Sequence, residues 1–137
     1  MLFRSGNNVI GIDVDVEKCK KIRSGIAPFF EPDLEKMLRI GLKKKLIISD
    51  DFSLVKDCDI IFVAVGTPQK SNGAIEISMI KKAVTSIGRI LAKSKKKPIV
   101  LIKSTVTPGT MQNVILPILE KRSGKKAGKE FGLISNP

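Results

Sequence analysis

The chain has 137 residues, 42% of them hydrophobic and 28% charged. That is enough for one globular domain with its own core, and no run of about 18 apolar residues is present to span a membrane. The first eight residues, Met1 to Asn8, hold no apolar stretch of signal-peptide length, which by default makes the cytoplasm the expected location.

Lysine and arginine number 25 against 13 acids, a net charge of +12. Such a balance raises nucleic acid or another polyanion as a partner. Two features argue against it. The basic clusters at 43–45, 93–97 and 121–126 end helical segments, where the helix dipole favours cations. Trp and Tyr are missing and Phe is sparse, so base-stacking platforms are lacking. Cys19 and Cys58 match no metal spacing; both read as reduced structural thiols, and no metal is expected.

Five apolar, β-branched runs punctuate the chain: Val9–Ile12, Leu46–Ile48, Ile60–Val65, Ile99–Ile102 and Phe131–Ile134. Continuous rather than alternating apolar character predicts strands buried on both faces, the mark of a parallel sheet between helices. Between the runs, Asp15 is placed to cap a helix from Val16 to about Arg23. Glu31-Pro32-Asp33 opens another, with Pro32 in the first turn and an apolar stripe of Leu34, Met37, Leu38 and Leu42. Ser53 starts a short helix before Asp57. Ile80, Val84, Ile87, Ile90 and Leu91 stripe the longest helix, and Thr110 to Glu120 forms the last, perturbed by Pro117. No repeat or linker appears, so 1–137 reads as a single domain.

The candidate chemistry lies just after the strands. Asp13 follows the first run. A carboxylate at the C-terminal end of a buried parallel strand faces the ligand crevice of such folds, although capping a turn is an equal competitor. Val65-Gly66-Thr67-Pro68 follows the strongest run, with Gly66 permitting close approach or an unusual dihedral. The polar loop from Gln69 to Ala74 contains Asn72-Gly73, a turn signal, and its length suggests function or mobility. Lys103-Ser104-Thr105-Val106 ends the fourth run ahead of a helix. Capping explains Thr107 and Thr110 there but not Ser104 and Thr105.

In this order, the segments Gly11-Ile12-Asp13-Val14-Asp15, Phe30-Glu31-Pro32-Asp33-Leu34, Val63 to Pro68, Lys103 to Val106, Pro108-Gly109-Thr110, Gly124 to Gly132 and Ser135-Asn136-Pro137 resemble the UDP-glucose/GDP-mannose dehydrogenase family. The resemblance implies the NAD-binding domain of an enzyme that oxidises the C6 hydroxyl of a nucleotide-linked hexose to a carboxylate with two NAD. It implies a Rossmann-type, doubly wound parallel sheet. It makes Asp13 the acid on the adenosine ribose and Lys18 a basic cofactor-side residue. It sets Val65, Gly66, Thr67 and Pro68 in one cofactor loop and Ser104, Thr105 and Val106 in the next. Thr105 also matches a threonine that positions water near the reacting carbon. Glu31-Pro32 looks structural.

The departures from the family pattern are equally specific. No Gly-x-Gly-x-x-Gly run is present, so the first strand and the Gly-rich turn that hold the pyrophosphate are missing. Leu2 to Asn8 looks like the tail of the helix that would follow them. Asn136-Pro137 normally precedes a catalytic glutamate, and the family's catalytic cysteine and lysine have no counterpart here; Cys19 and Cys58 match neither position nor context. The chain thus reads as a family domain truncated at both ends, inactive alone. In the strand order 3-2-1-4-5-6 the absent strand leaves the Val9 and Ile60 runs beside an empty slot. Each buried orphan backbone group there costs about 1–3 kcal/mol, so the chain is expected to be unstable alone or filled by another strand. UDP-glucose 6-dehydrogenase is the first choice among activities, with GDP-mannose and UDP-N-acetylmannosamine open. The complete enzyme would take a nucleotide-sugar substrate, serve polysaccharide biosynthesis and form a homo-oligomer. Two alternatives stand beside it: a non-catalytic module pairing with a full-length dehydrogenase, and a basic polyanion-binding protein.

Overall fold

The computed structural model describes residues 6–137, so most of the expected helix tail at Leu2–Asn8 lies outside the described residues. The element order is β1 (Val9–Ile12), α1 (Val16–Arg23), α2 (Leu34–Leu42), β2 (Leu46–Ser49), a 3₁₀ turn (Phe52–Asp57), β3 (Ile60–Val63), α3 (Ser78–Leu91), β4 (Ile99–Ile102), a π-helical turn (Met111–Ile115), α4 (Leu116–Ser123) and β5 (Gly132–Ser135). Every strand pairing is parallel, as continuous apolar runs joined by helices require. The chain divides into two compact units, Met1–Phe52 and Ser53–Pro137.

In the first unit β1 pairs with β2, Val9 opposite Leu46 and Ile12 opposite Ser49. Asp15 caps α1 as its sequence position predicts, its carboxylate accepting from the Lys18 N–H at 2.9 Å. Leu38 and Cys19 are its buried side chains. Helix α2 starts later than Pro32 suggests. Its N-cap is Asp33, which sits at φ 61° and caps with no side-chain bond. The left-handed residue turns the chain after Pro32, so the proline ends in the approach to the helix and not in its first turn.

In the second unit the order is β3-β4-β5, with Ile60 opposite Ile99 and Ile99 opposite Gly132. Helices α3 and α4 cover one face of this sheet. Ile61, Val63, Val100 and Ile102 point into that layer and meet Ile80, Val84, Leu91, Ile115 and Leu119, each at most 7% exposed. Gly88 lets the helices approach: a Cβ there would stand 2.7 Å from the Arg122 Cβ. Pro117 perturbs the last helix as its missing N–H dictates. The preceding turn widens to π, with the Leu116 N–H donating to the Met111 carbonyl five residues back.

The strands form a two-stranded and a three-stranded sheet, with β1 bonded only to β2 and β3 only to β4 among the described residues, so the Val9 and Ile60 runs each keep one unpaired edge, as the reading of an unfilled slot beside them anticipates. One expectation changes: burial on both faces is not reached. Ile60, Phe62, Ile99 and Ile134 remain 50%, 46%, 37% and 45% exposed, because both helices of this unit, α3 and α4, lie on the opposite face. The ladder of β3 also stops at Val63, two residues short of the apolar run.

Candidate functional site

The acid after β1 is held in place from two sides. Its own N–H donates to the Ser49 carbonyl at 3.2 Å, which fixes Asp13 one residue past the strand ladder. One carboxylate oxygen accepts the Asp15 N–H at 3.1 Å and the other accepts the Lys18 ammonium. The first turn of α1 carries Lys18 back over the strand end, which is why residues five apart in sequence meet. Partial burial pushes the Asp13 carboxyl upward, but the Lys18 hydrogen bond and the Asp15 N–H outweigh it and hold the group below the usual carboxylate range. Asp13 in turn raises Lys18 above the ordinary amine value. The Cys19 thiol is buried beneath, within 3.6 Å of the Asp13 carbonyl.

In the second unit three strand ends build a continuous polar edge. Past β3, Val65 and Thr67 are half-buried while Gly66 and Pro68 are exposed. Gly66 is not at positive φ, and a Cβ there would meet only Met79 Sδ at 3.8 Å. Of the two roles read for it, conformational freedom therefore falls away and close approach by a ligand remains. The loop beyond it is tied rather than slack. Gln69 bridges Ile75, the Glu76 N–H donates to the Pro68 carbonyl at 2.8 Å, and Lys70 pairs with Glu76 at 3.1 Å.

Past β4, the Lys103 N–H donates to the Val63 carbonyl at 2.9 Å as the last rung of the β3–β4 ladder, and the Ser104 N–H shares that carbonyl at 3.3 Å. Ser104 is 6% exposed and its hydroxyl donates to the Val65 carbonyl at 2.6 Å. That bond fastens the loop after β4 to the loop after β3. A serine hydroxyl has one proton, so in this arrangement Ser104 offers a ligand acceptor lone pairs only. Thr105 stands exposed beside it and Val106 is half-buried. Thr107 and Thr110 pair hydroxyl to hydroxyl at 2.9 Å, the local role that capping chemistry anticipates. Past β5, Asn136 accepts the Lys103 ammonium at 2.7 Å. The sequence reading names both residues without pairing them. The register gives the signal, since Ile102 stands opposite Ser135 and each residue follows its strand by one.

The structure therefore brings Asp13 and Lys18 together in one unit, and Val65 to Pro68 together with Ser104 to Val106 in the other. A surface depression lined by Phe29, Phe30, Glu31 and Pro32 in the first unit contains none of the predicted site residues. Phe30 is 94% exposed there.

Taken unit by unit, each group of residues fits a part of a dinucleotide. A carboxylate has about four lone-pair positions and Asp13 uses two, which leaves capacity for a ribose diol. The exposed Gly66 and Thr105 line an edge on which a nicotinamide half could lie. No described residue supplies a Gly-rich pyrophosphate cradle. Parallel strands with ligand-type groups at their C-terminal ends, among them an acid directly after β1, define a nucleotide-binding α/β domain of the dehydrogenase kind.

Comparison with known proteins narrows this class. The sequence matches the UDP-glucose/GDP-mannose dehydrogenase family, NAD binding domain, over residues 1–137, and the chain belongs to that family. It is 40% identical over 138 residues to GDP-mannose 6-dehydrogenase of Pseudomonas syringae pv. tomato, covering 99% of this chain and 32% of that protein. The fold superposes on a ternary-complex crystal structure of GDP-mannose dehydrogenase from Pseudomonas aeruginosa with a TM-score of 0.95 at 39% identity, over 99% of this chain and 32% of that one. A UDP-glucose dehydrogenase from Pyrobaculum islandicum gives 0.89 at 29% identity, over 98% and 31%. The chain thus spans about a third of the length of the relatives it matches.

Proposed function

We propose that residues 1–137 form one NAD-binding domain, incomplete in its pyrophosphate cradle, of a nucleotide-sugar 6-dehydrogenase. Asp13 accepts the adenosine ribose hydroxyls, with Lys18 beside it on the cofactor side. Val65, Gly66, Thr67 and Pro68 run along the cofactor on one loop, and Ser104, Thr105 and Val106 on the next. Bound NAD supplies a hydride acceptor. Around it, Gly66 leaves room for the ligand's backbone-close approach, Thr105 orients water and Ser104 sets the spacing of the two loops. The observation that carries this reading is the Ser104–Val65 bond at 2.6 Å, which joins the two predicted cofactor loops into one edge. The negative charge of Asp13 disfavours a 2′-phosphate, so NAD is preferred over NADP.

The sequence reading puts UDP-glucose first. The identities of 40% to a GDP-mannose enzyme and 33% to a UDP-glucose enzyme favour the GDP-linked hexose. A nucleotide-sugar substrate, a homo-oligomeric state and a place in the cytoplasm belong to the same proposal. The described helices include none long and apolar enough to cross a membrane.

A chimera tests the proposal. Replacing the matched third of the P. syringae enzyme with this chain should preserve NAD-dependent oxidation of GDP-mannose, and Asp13→Ala in the chimera should raise the KM for NAD at least tenfold. A chimera that folds and binds GDP-mannose yet does not use NAD overturns it. The isolated chain should bind NAD weakly or not at all, and micromolar affinity by calorimetry would contradict the missing cradle.

A further inference from the structure

The end of the three-stranded sheet opposite the candidate cofactor edge has a distinct composition. Three segments lead into the strands there: 57–59 before β3, 92–98 before β4 and 124–131 before β5. They are lashed together. The Ile99 N–H donates to the Asp59 carbonyl at 3.0 Å and the Gly132 N–H to the Pro98 carbonyl at 2.9 Å. The Ser94 hydroxyl donates to the Lys56 carbonyl at 2.7 Å, and the Lys125 ammonium to the Ser94 carbonyl at 2.6 Å.

Onto this frame the chain loads cations. Lys96 is paired with Asp59 and Lys126 with Glu120. Lys93, Lys95, Lys97, Lys121, Arg122 and Lys129 are exposed and form no ion pair among the described residues. The helix dipole, which acts within a helix's last turn, accounts for Lys121 and Arg122 alone. Helix α3 is capped at Ala92 and α4 at Gly124, so Lys93, Lys95, Lys97 and Lys129 lie beyond both. Concentrating unpaired like charge on one small edge costs self-repulsion, and neither packing nor the helix dipole explains Lys93, Lys95, Lys97 and Lys129.

We propose that this basic edge is a docking surface for the phosphodiester backbone of duplex nucleic acid, bound without regard to sequence. Three properties select this partner. The loops expose no aromatic side chain on which an unpaired base would stack, since their one aromatic, Phe131, is buried. They expose no large apolar residue to wedge into a bilayer. Five of the six unpaired cations are lysines, point charges that suit phosphates rather than the bidentate reading of base edges. Duplex nucleic acid presents one negative charge per about 1.7 Å, a density to match. Strands of four residues separate this edge from the cofactor edge by about 13 Å, so a nucleotide on one does not block the other.

Fluorescence anisotropy with a labelled mixed-sequence duplex of about 20 base pairs, titrated from low to high KCl, tests the proposal. The chain should bind, with log K falling linearly against log salt. Lys93→Gln/Lys95→Gln/Lys97→Gln should reduce that slope by about 2–3 and weaken binding at least tenfold at moderate salt. Lys36→Gln/Lys43→Gln/Lys44→Gln, with the same charge loss in the other unit, should stay within twofold. Should the first triple variant fail to fold, Lys121→Gln/Arg122→Gln/Lys129→Gln carries the same expectation. Equal weakening by both triples overturns the proposal. So does absence of duplex binding at low salt, tighter binding to single strands, or preference for phosphatidylserine vesicles over duplex.

Discussion

Replacing Ser104 by alanine removes the one side-chain bond between the two predicted cofactor loops. Its magnitude follows from opposing terms. The hydroxyl is 6% exposed and donates at 2.6 Å to the Val65 carbonyl, so its loss leaves a carbonyl without its donor, at about 1–3 kcal/mol. Val65 is only half-buried, and water reaching its carbonyl pulls the value to the lower end, about 1 kcal/mol. Urea unfolding of the wild-type and Ser104→Ala chains should show that loss with an unchanged denaturant slope. Amide exchange should quicken at Gly66 and Thr67 while the β1–β2 unit keeps its protection. A stability change below about 0.3 kcal/mol, or exchange quickened evenly through both units, would refute the reasoning: the hydroxyl would then be no fastener of the loops.

Gly88→Ala sets helix propensity, a gain of about 1 kcal/mol, against overpacking of about 1–3 kcal/mol. The added methyl meets the Arg122 Cβ at 2.7 Å, an atom fixed to the α4 backbone, so thermal unfolding should record a net loss. For Asp13 and Lys18 the signs differ. The lowered Asp13 gives stability present at neutral pH and lost as pH falls through its folded value, below the ordinary carboxylate range. The raised Lys18 gives stability lost as pH climbs through its own, above the ordinary amine range. Both side chains are partly exposed, which limits the effect to under about 1 kcal/mol, and Asp13→Asn should flatten the acid limb of a stability–pH curve. Of the two thiols, Cys58 is half-buried with its pKa pushed up by that burial, and Cys19 is buried. Alkylation at mildly alkaline pH should modify Cys58 first and reach Cys19 only on unfolding, as mass spectrometry of timed samples will report.

The strand cores and α1 were legible because local chemistry decides them. Asp15 caps whatever follows it, and Ile99–Ile102 has no better use than a buried strand. The placement of the candidate residues was legible for a related reason: parallel strands put their following residues on one edge, so Lys103, Ser104 and Asn136 converge once the register is known. What stayed hidden depends on partners distant in sequence. Asp33 at φ 61° delays α2 beyond Pro32, and nothing local demands a left-handed aspartate there. Ala64 and Val65 continue the apolar run of β3, yet the ladder closes at Val63 opposite Ile102, and the Ser104 N–H turns onto the Val63 carbonyl without extending the pairing. The proton of Ser104 looked available to a ligand in the sequence and is directed inward in the fold.

The exposed face of the β3–β4–β5 sheet gives the apolar runs their sharpest reading. A strand wetted on one side carries polar residues on that side, as antiparallel sheets do. β3 does not: Ile60 and Phe62 alternate with Ile61 and Val63, and the register sets them beside Ile99 and Ile134 through the ladder. An apolar patch this continuous invites association when bare. The sequence of these strands is therefore suited to cover on both faces, and α3 and α4 provide it on one. The Ser104 bond and the Lys103–Asn136 bond lie past the strand ends, clear of that question. The geometry of the candidate cofactor edge thus rests on contacts within its own unit and holds whichever surface comes to cover the other face.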